Sequence, residues 1–268
     1  MGLVVMNNMT QRFNDSQKER ALLPILKEFL ERELPDAEIR FTNSREEQLQ
    51  GSDFLMKSLQ VFGDNNFHTI DAKAATDYIV IDGRSDGLPT FAMELASLQN
   101  GNYREGWAID NESYYKNTEY FCFQWIFTRN NTRDLSIQNI ARIEVKIIPK
   151  RDLLHFIQNP FNLFPNLTNN GYIGELNQER ISNLYIWMEN TFNSLRGNQD
   201  GDYRFNNLNV KLQRGRLYLS LLNPNEVDGK GPKIVYTSEE VKSECPLNIT
   251  IAKRPYLEKL SIFSSNLN

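Results

Sequence analysis

The sequence predicts a mixed α/β protein, and three observations carry that prediction. Apolar residues recur at helical spacing over residues 14–34 and 177–195. Elsewhere the period falls to two, in short runs rich in Val, Ile, Phe, Tyr and Thr. Clusters of Gly, Asn, Asp and Pro separate these runs, as turns do between strands. The expected architecture is a central sheet flanked by helices, with a β-rich elaboration towards the C-terminus. Its expected division is a flexible lead over 1–13, a core over 14–148 and a second α+β part over 149–268.

The elements follow in order. Asn14 or Asp15 can cap a first helix whose apolar stripe is Leu22, Leu23, Leu26, Phe29 and Leu30. Pro24 falls inside it and predicts a kink or a division into two helices. A polar stretch, 42–50, leads to Gly51-Ser52-Asp53. Phe54–Phe62 and Phe67–Ala75 flank Gly63-Asp64-Asn65-Asn66 and read as a hairpin. Residues 82–87 read as a loop. Strands are expected at Thr90–Leu98, Trp107–Ile109, Glu119–Thr128 and Ala141–Ile148. A short helix is expected over Lys150–Gln158, then a loop to Gly174 and a helix over Asn177–Leu195. Strands at Asn209–Leu222, Lys233–Thr237 and Leu247–Ala252 complete the pattern. One echo occurs: Ile148-Pro-Lys150-Arg151 is matched by Ile251-Ala-Lys253-Arg254. It reads equally as coincidence or as a repeated strand-to-helix exit.

Composition narrows the function classes. Hydrophobic residues make up 40% and charged residues 24% of the 268-residue chain, as in a globular protein with a proper core. No apolar run approaches the ~20 residues needed to span a bilayer. Residues 1–10 lack the basic start of a secretory signal. Cys122 and Cys245 are the only cysteines, so no disulfide framework is expected and a cytoplasmic location is. Residues 1–140 hold 14 Lys and Arg against 21 Asp and Glu, whereas residues 141–268 hold 16 against 13. That asymmetry suits an acidic, metal-binding half beside a basic, backbone-binding half.

The stretch with chemistry in it is Asp53, then Asp71-Ala72-Lys73. On a strand, alternate residues share a face, so Asp71 and Lys73 project together. A hairpin centred near Asp64 would set Asp53 opposite Ala75, on that same face. Two carboxylates can hold a hard divalent cation, Mg²⁺ or Mn²⁺, that keeps several waters and takes further ligands from phosphate. Lys73 could position the attacking water or stabilise charge developing on the phosphate. The plain alternative is a solvent-facing ion pair at a hairpin edge, worth little energetically.

These residues resemble the PD-(D/E)XK nuclease superfamily, which includes restriction enzymes, resolvases and phage exonucleases. That superfamily places an acid on one strand and an acid-x-Lys triplet on the next, behind a helix. The match is Asp53 for the first acid and Asp71-Ala72-Lys73 for the triplet, and it covers about residues 14–148. Ser52 stands where the superfamily's name has proline. The resemblance implies a restriction-endonuclease-like core and hydrolysis of nucleic-acid phosphodiesters, of DNA in particular. It also implies a metal held by Asp53 and Asp71, and a phage, mobile-element or defence role. A homodimer would fit it. The rival reading is a non-catalytic nucleic-acid- or protein-binding protein with a nuclease-like fold.

Further candidates carry an equally good structural account. Glu94 interrupts an apolar strand run and is a candidate third acid at the catalytic site, unless it simply faces water beside Ala92 and Ala96. Glu19, Glu28 and Glu31 of the first helix could approach the site or form ordinary helix surface. The aromatics between Trp107 and Trp125 suit base stacking, but core packing of a half-buried strand explains them better. Arg204, Lys211, Arg214 and Arg216 form a basic group suited to phosphates or to a solvated strand face. His68 and His155 sit in no metal-ligand or triad spacing. No nucleotide-binding glycine loop occurs.

Overall fold

A computed structural model describes residues 2–42, 51–76, 79–81, 88–99, 101–109, 115–129, 132, 134–162, 178–205, 208–220 and 231–267. The expected loops over 82–87 and 163–174, and most of the polar stretch 42–50, lie outside the described residues. The fold is mixed α/β, with two seven-stranded sheets among the described residues. The chain forms two compact units that interleave along the sequence: 1–89, 111–152 and 253–268 make the first, and 90–110 with 153–252 the second. This differs from the consecutive division expected at 148/149, because strand pairing overrides sequence order.

In the first unit, helix α1 spans Gly2–Glu33 with Pro24 inside it. The helix thus includes most of the lead expected to be flexible, since no proline or glycine interrupts residues 3–23. Its buried stripe is Leu22, Ile25, Leu26, Phe29 and Leu30. The sheet contains β1 (Glu38–Phe41), β2 (Phe54–Lys57), β3 (His68–Ala74), β4 (Val80–Ile81), β7 (Tyr120–Thr128), β8 (Ile140–Pro149) and β14 (Phe263–Leu267). Its order is β1-β2-β3-β7-β8-β14, with β4 also on β7. Strands β3 and β4 run parallel to β7, and the other pairs are antiparallel. Residues 121–128 of β7 are all buried, as a strand covered on both faces must be. Ile70, Ala72, Cys122, Val145 and Ile147 pack with the α1 stripe.

The expected hairpin has a helical turn built into it. Helix α2 (Leu59–Phe62) starts at Ser58, whose Oγ accepts from Val61 N at 3.2 Å. It ends at Gly63 with φ +78°, a left-handed position that glycine adopts without a Cβ penalty. Asp36 accepts from both Ser58 Oγ and Gln60 N at 3.0 Å. The turn consumes residues, so β2 pairs with β3 in the register Phe54↔Ile70.

In the second unit, the sheet order is β6-β5-β13-β12-β11-β10-β9 and all neighbours are antiparallel. Its strands are β5 (Thr90–Gln99), β6 (Asn102–Glu105), β9 (Gly201–Phe205), β10 (Leu208–Gln213), β11 (Arg216–Ser220), β12 (Lys233–Thr237) and β13 (Leu247–Ala252). Within the β-rich section expected over 209–222, residues 208–220 form a hairpin that turns at Arg214 and Gly215, with φ of 50° and 69°, and residues 221–222 lie outside the described residues. Trp107–Ile109, expected as a strand, is a turn. Helix α3 (Lys150–Asn162) begins in the first unit and continues into the second. Helix α4 (Gln178–Leu195) buries Ile181, Leu184, Tyr185, Met188 and Phe192, and Tyr185 Oη donates to Cys245 O at 2.9 Å.

Candidate active site

The acid-x-Lys triplet lies on β3, and the alternation of that strand decides where each side chain goes. Ile70 and Ala72 join the α1-side core, so Asp71 and Lys73 project from the opposite face. Asp53 immediately precedes β2. Its amide donates to Ile70 O at 2.9 Å, and Gly51, with φ +77°, makes the turn that brings it there. Continuing the ladder from Phe54↔Ile70 places Asp53 opposite Asp71, not opposite Ala75 as the hairpin reading expected. The shift is four residues, an even number, so the expected face is kept.

The three side chains meet. Asp53 Oδ2 accepts from Ala72 N at 2.8 Å, across the peptide between Asp71 and Lys73. Lys73 Nζ lies 2.9 Å from Asp71 Oδ2 and 5.0 Å from the Tyr115 ring centroid. Asp71 is only 3% exposed, and its Oδ2 has no aligned hydrogen-bond donor besides this ion-pair contact. Burial pushes the Asp71 carboxyl well above the usual carboxylate range. The Lys73 charge pulls it back and the neighbouring Asp53 carboxylate adds to the rise. Burial works against the Lys73 charge, yet Asp71 first, then Tyr115, Asp53 and Glu19, hold its ammonium well above its ordinary value. Burial, with Asp53 and Asp71 close by, also pushes the Cys122 thiol up. Cys122 is an inert core residue by that measure.

Two acids to one lysine leave a negative surplus in a buried place. Half-buried Asp53 takes one donor from the Ala72 amide, and the pair keeps acceptor capacity that a donor, a proton or a cation can fill. Asp53 and Asp71 are the residues that could hold a divalent cation, and oxygen donors suit Mg²⁺ or Mn²⁺. No group of three or more His, Cys, Asp or Glu placed to hold a metal occurs among the described residues. A cation here would take its remaining ligands from water and substrate.

Glu94 has local partners of its own. It lies on β5 of the second unit, paired with Asn248, and its Oε1 accepts from Ser97 Oγ at 3.1 Å. Its carbonyl is closely covered: a Cβ on Gly106 would lie 2.1 Å from Glu94 O. Glu19 is the α1 acid that reaches the site electrostatically. Its clue in the sequence was only its place on the helix preceding β1. Tyr115 was passed over among many aromatics, because only the fold sets its ring against Lys73. Phe121, Phe123 and Trp125 are core residues. Arg204, Lys211 and Arg216 share one face of β9–β11, by their register. His68 bridges Asp64 and Glu119 at 3.1 and 3.3 Å, an arrangement its sequence position did not reveal.

No helix among the described residues is long and apolar enough to cross a membrane. The chain matches no family model, no curated protein and no solved structure.

Proposed function

We propose that the chain is a metal-dependent nuclease that hydrolyses phosphodiester bonds of nucleic acid, DNA in particular, in the cytoplasm. The observation that supports this best is the meeting of Asp53, Asp71 and Lys73 at one place on a buried strand. The order of α1, an acid before β2 and an acid-x-Lys on β3 is also the order the nuclease superfamily uses.

In this reading Asp53 and Asp71 hold Mg²⁺ or Mn²⁺, which would polarise the phosphoryl group and lower the pKa of the attacking water. The Ala72 amide fixes Asp53 in place. Lys73, steered by Asp71, presents its ammonium to the negative charge that grows on the phosphate. The net change is hydrolysis: a water oxygen bonds to phosphorus, the bond to the leaving sugar oxygen breaks, and that oxygen ends with a proton that balances the one lost by the water. Glu19 tunes Lys73 from α1. Glu94 is assigned no step.

A second reading is a nuclease-like binding protein without activity. It is favoured by the absence, among the described residues, of a third acidic ligand beside Asp53 and Asp71. Incubation with labelled single- and double-stranded DNA and RNA separates the two, using Mg²⁺, Mn²⁺ or chelator. Cleavage that needs metal and vanishes in folded Asp71→Ala supports the nuclease. No cleavage of any substrate, together with no calorimetric metal binding, favours the binding protein.

A further inference from the structure

The sheet of the second unit gives one face to the core and leaves the other open. Leu217, Leu219, Ile234 and Tyr236 are buried on the core face, and α4 packs there against β11 and β12. The residues between them project from the opposite face. Over β9–β12 that face carries Arg204, Lys211, Arg216 and Lys233 against one acid, Asp202, among the described residues. Asp202, Arg204 and Lys211 are exposed, and Arg216, Tyr218 and Lys233 are half-buried. Asp202 lies opposite Lys211 and offsets one of the four positive charges. A surplus of three remains.

The registers set three of these cations in a line. Arg204 lies opposite Asn209, Lys211 opposite Tyr218, and Gln213 opposite Arg216. Each cation is therefore one strand over and two residues along from the last: Arg204 to Lys211, then Lys211 to Arg216. Such diagonal neighbours stand about 7–8 Å apart, a step that an extended nucleic-acid backbone can match from phosphate to phosphate. Tyr218 sits within the line. It is directly opposite Lys211 and two residues from Arg216 on the same strand, so its ring shares the face with both. Cations in a row with an accessible aromatic among them are the combination that holds a single strand, the charges tracking the backbone and the ring taking a base. A duplex keeps its bases paired and stacked, out of reach of such a ring.

We propose that this face of β9–β12 binds single-stranded nucleic acid, with phosphates along Arg204, Lys211 and Arg216 and a base against Tyr218. The proposal goes beyond the nuclease reading and stands without it, since no residue of the first unit takes part.

The test is the anisotropy of a labelled single strand of about ten nucleotides, an ordinary site size for such surfaces. It is titrated with the full chain in chelator at several salt concentrations. With the fold verified by circular dichroism, Lys211→Gln and Arg216→Gln are each expected to flatten the slope of log affinity against log salt by about 0.7. Tyr218→Leu is expected to weaken binding about tenfold while the slope stays as in wild type. Lys259→Gln, which removes an exposed lysine of the first unit, is expected to change neither. Wild type that does not bind the strand overturns the proposal, as do affinity and slope unchanged in all three variants of the face. A slope that falls as far in Lys259→Gln as in Lys211→Gln overturns it too, because the attraction is then diffuse. A duplex bound as tightly as the strand, or polyglutamate that competes as well as unlabelled strand, overturns single-stranded nucleic acid as the occupant. The expected pattern of binding, in a wild type that cleaves nothing with Mg²⁺, keeps the face and overturns the nuclease reading alone.

Discussion

Two buried charge clusters lie on one face of the first sheet, and they are unbalanced in opposite senses. Around Lys73, two carboxylates meet one ammonium. Around Glu144, two ammoniums meet one carboxylate: Lys253 Nζ is 2.6 Å and Lys146 Nζ 3.9 Å from its oxygens. The register Lys73↔Phe123 and Phe123↔Lys146 places Lys73 and Lys146 in a single row across β3, β7 and β8. The surplus lysine is nevertheless satisfied within the protein, because an ammonium donates to any oxygen. Lys146 donates to Ser264 Oγ at 3.2 Å. The acid cluster rests on fewer donors: Asp53 Oδ2 takes the Ala72 amide, and Asp71 Oδ2 has the Lys73 ammonium 2.9 Å away but no aligned hydrogen bond. The difference teaches that the sign of an imbalance matters. A lysine surplus can be structural, whereas an acid surplus on a buried strand asks for a proton or a cation.

The largest expected effect separates the two clusters by activity. Lys73→Met should lower metal-dependent cleavage about 10²–10³-fold, while Lys146→Met should stay near wild type in the same assay. Equal losses in both would erase the distinction. Next in size, Glu144→Gln strips the shared partner from two buried lysines. It should cost roughly 3–5 kcal/mol in chemical denaturation, as breaking a buried ion pair does. A loss under 1 kcal/mol would mean that the second cluster is solvated in solution.

A smaller effect is a mirror-image pH dependence, measured by urea midpoints in chelator. The folded pKa of Asp71 is raised, so the folded state binds that proton more tightly than the unfolded chain does. Wild type should therefore lose ground to Asp71→Asn as pH rises above the ordinary value of 3.8. The folded pKa of Lys146 is lowered, chiefly by burial, with Glu144 opposing it. Any advantage of Lys146→Met should then be largest below that lowered value and fade as pH rises towards 10.5. Parallel slopes in the two variants would contradict the opposite imbalances. The smallest effect lies outside both clusters: Ser58→Ala removes the cap of α2 and should cost about 1 kcal/mol. It should leave cleavage untouched, and a change in cleavage would tie the β2–β3 connection to the site.

Much of this was legible in the sequence, and the gaps have physical causes. The α1 stripe, β5, β7, β8, α4, β12 and β13 announced themselves by period, because each buries one definite face or both. The pairing of Asp53 with Asp71 was legible as to face but not as to register. Periodicity fixes parity, whereas the helical turn at Leu59–Phe62 that sets the offset depends on a cap and on Asp36, far away in sequence. Glu94 looked like a candidate because it interrupts an apolar strand run. The chain leaves the first unit at Pro89, just past the Gly-, Ser- and Asp-rich stretch 82–87, which reads as an ordinary loop. The strands β1, β4, β6, β9 and β14 gave no signal: β4 has two residues, and the others mix polar residues into four or five, unlike the equally short but more apolar β12. The echo of Lys150-Arg151 and Lys253-Arg254 does coincide with the unit boundaries at 152/153 and 252/253. Both lysines are buried there, Lys150 donating to Tyr115 O and Lys253 to Glu144.

The position of β14 has a consequence for the order of synthesis. Its partner strand, β8, leaves the ribosome before nearly all of the second unit does, yet Ile147 pairs with Phe263. The Lys253 that neutralises Glu144 arrives equally late. Until then β8 presents an open edge and Glu144 has no Lys253, so the first unit cannot close before β14 has been made. Chain closure over so long a separation is paid for in entropy before its contacts form. A nascent chain arrested before β14 emerges would hold Asp53, Asp71 and Lys73 on an unfinished sheet, so any cleavage would begin only once translation has reached β14.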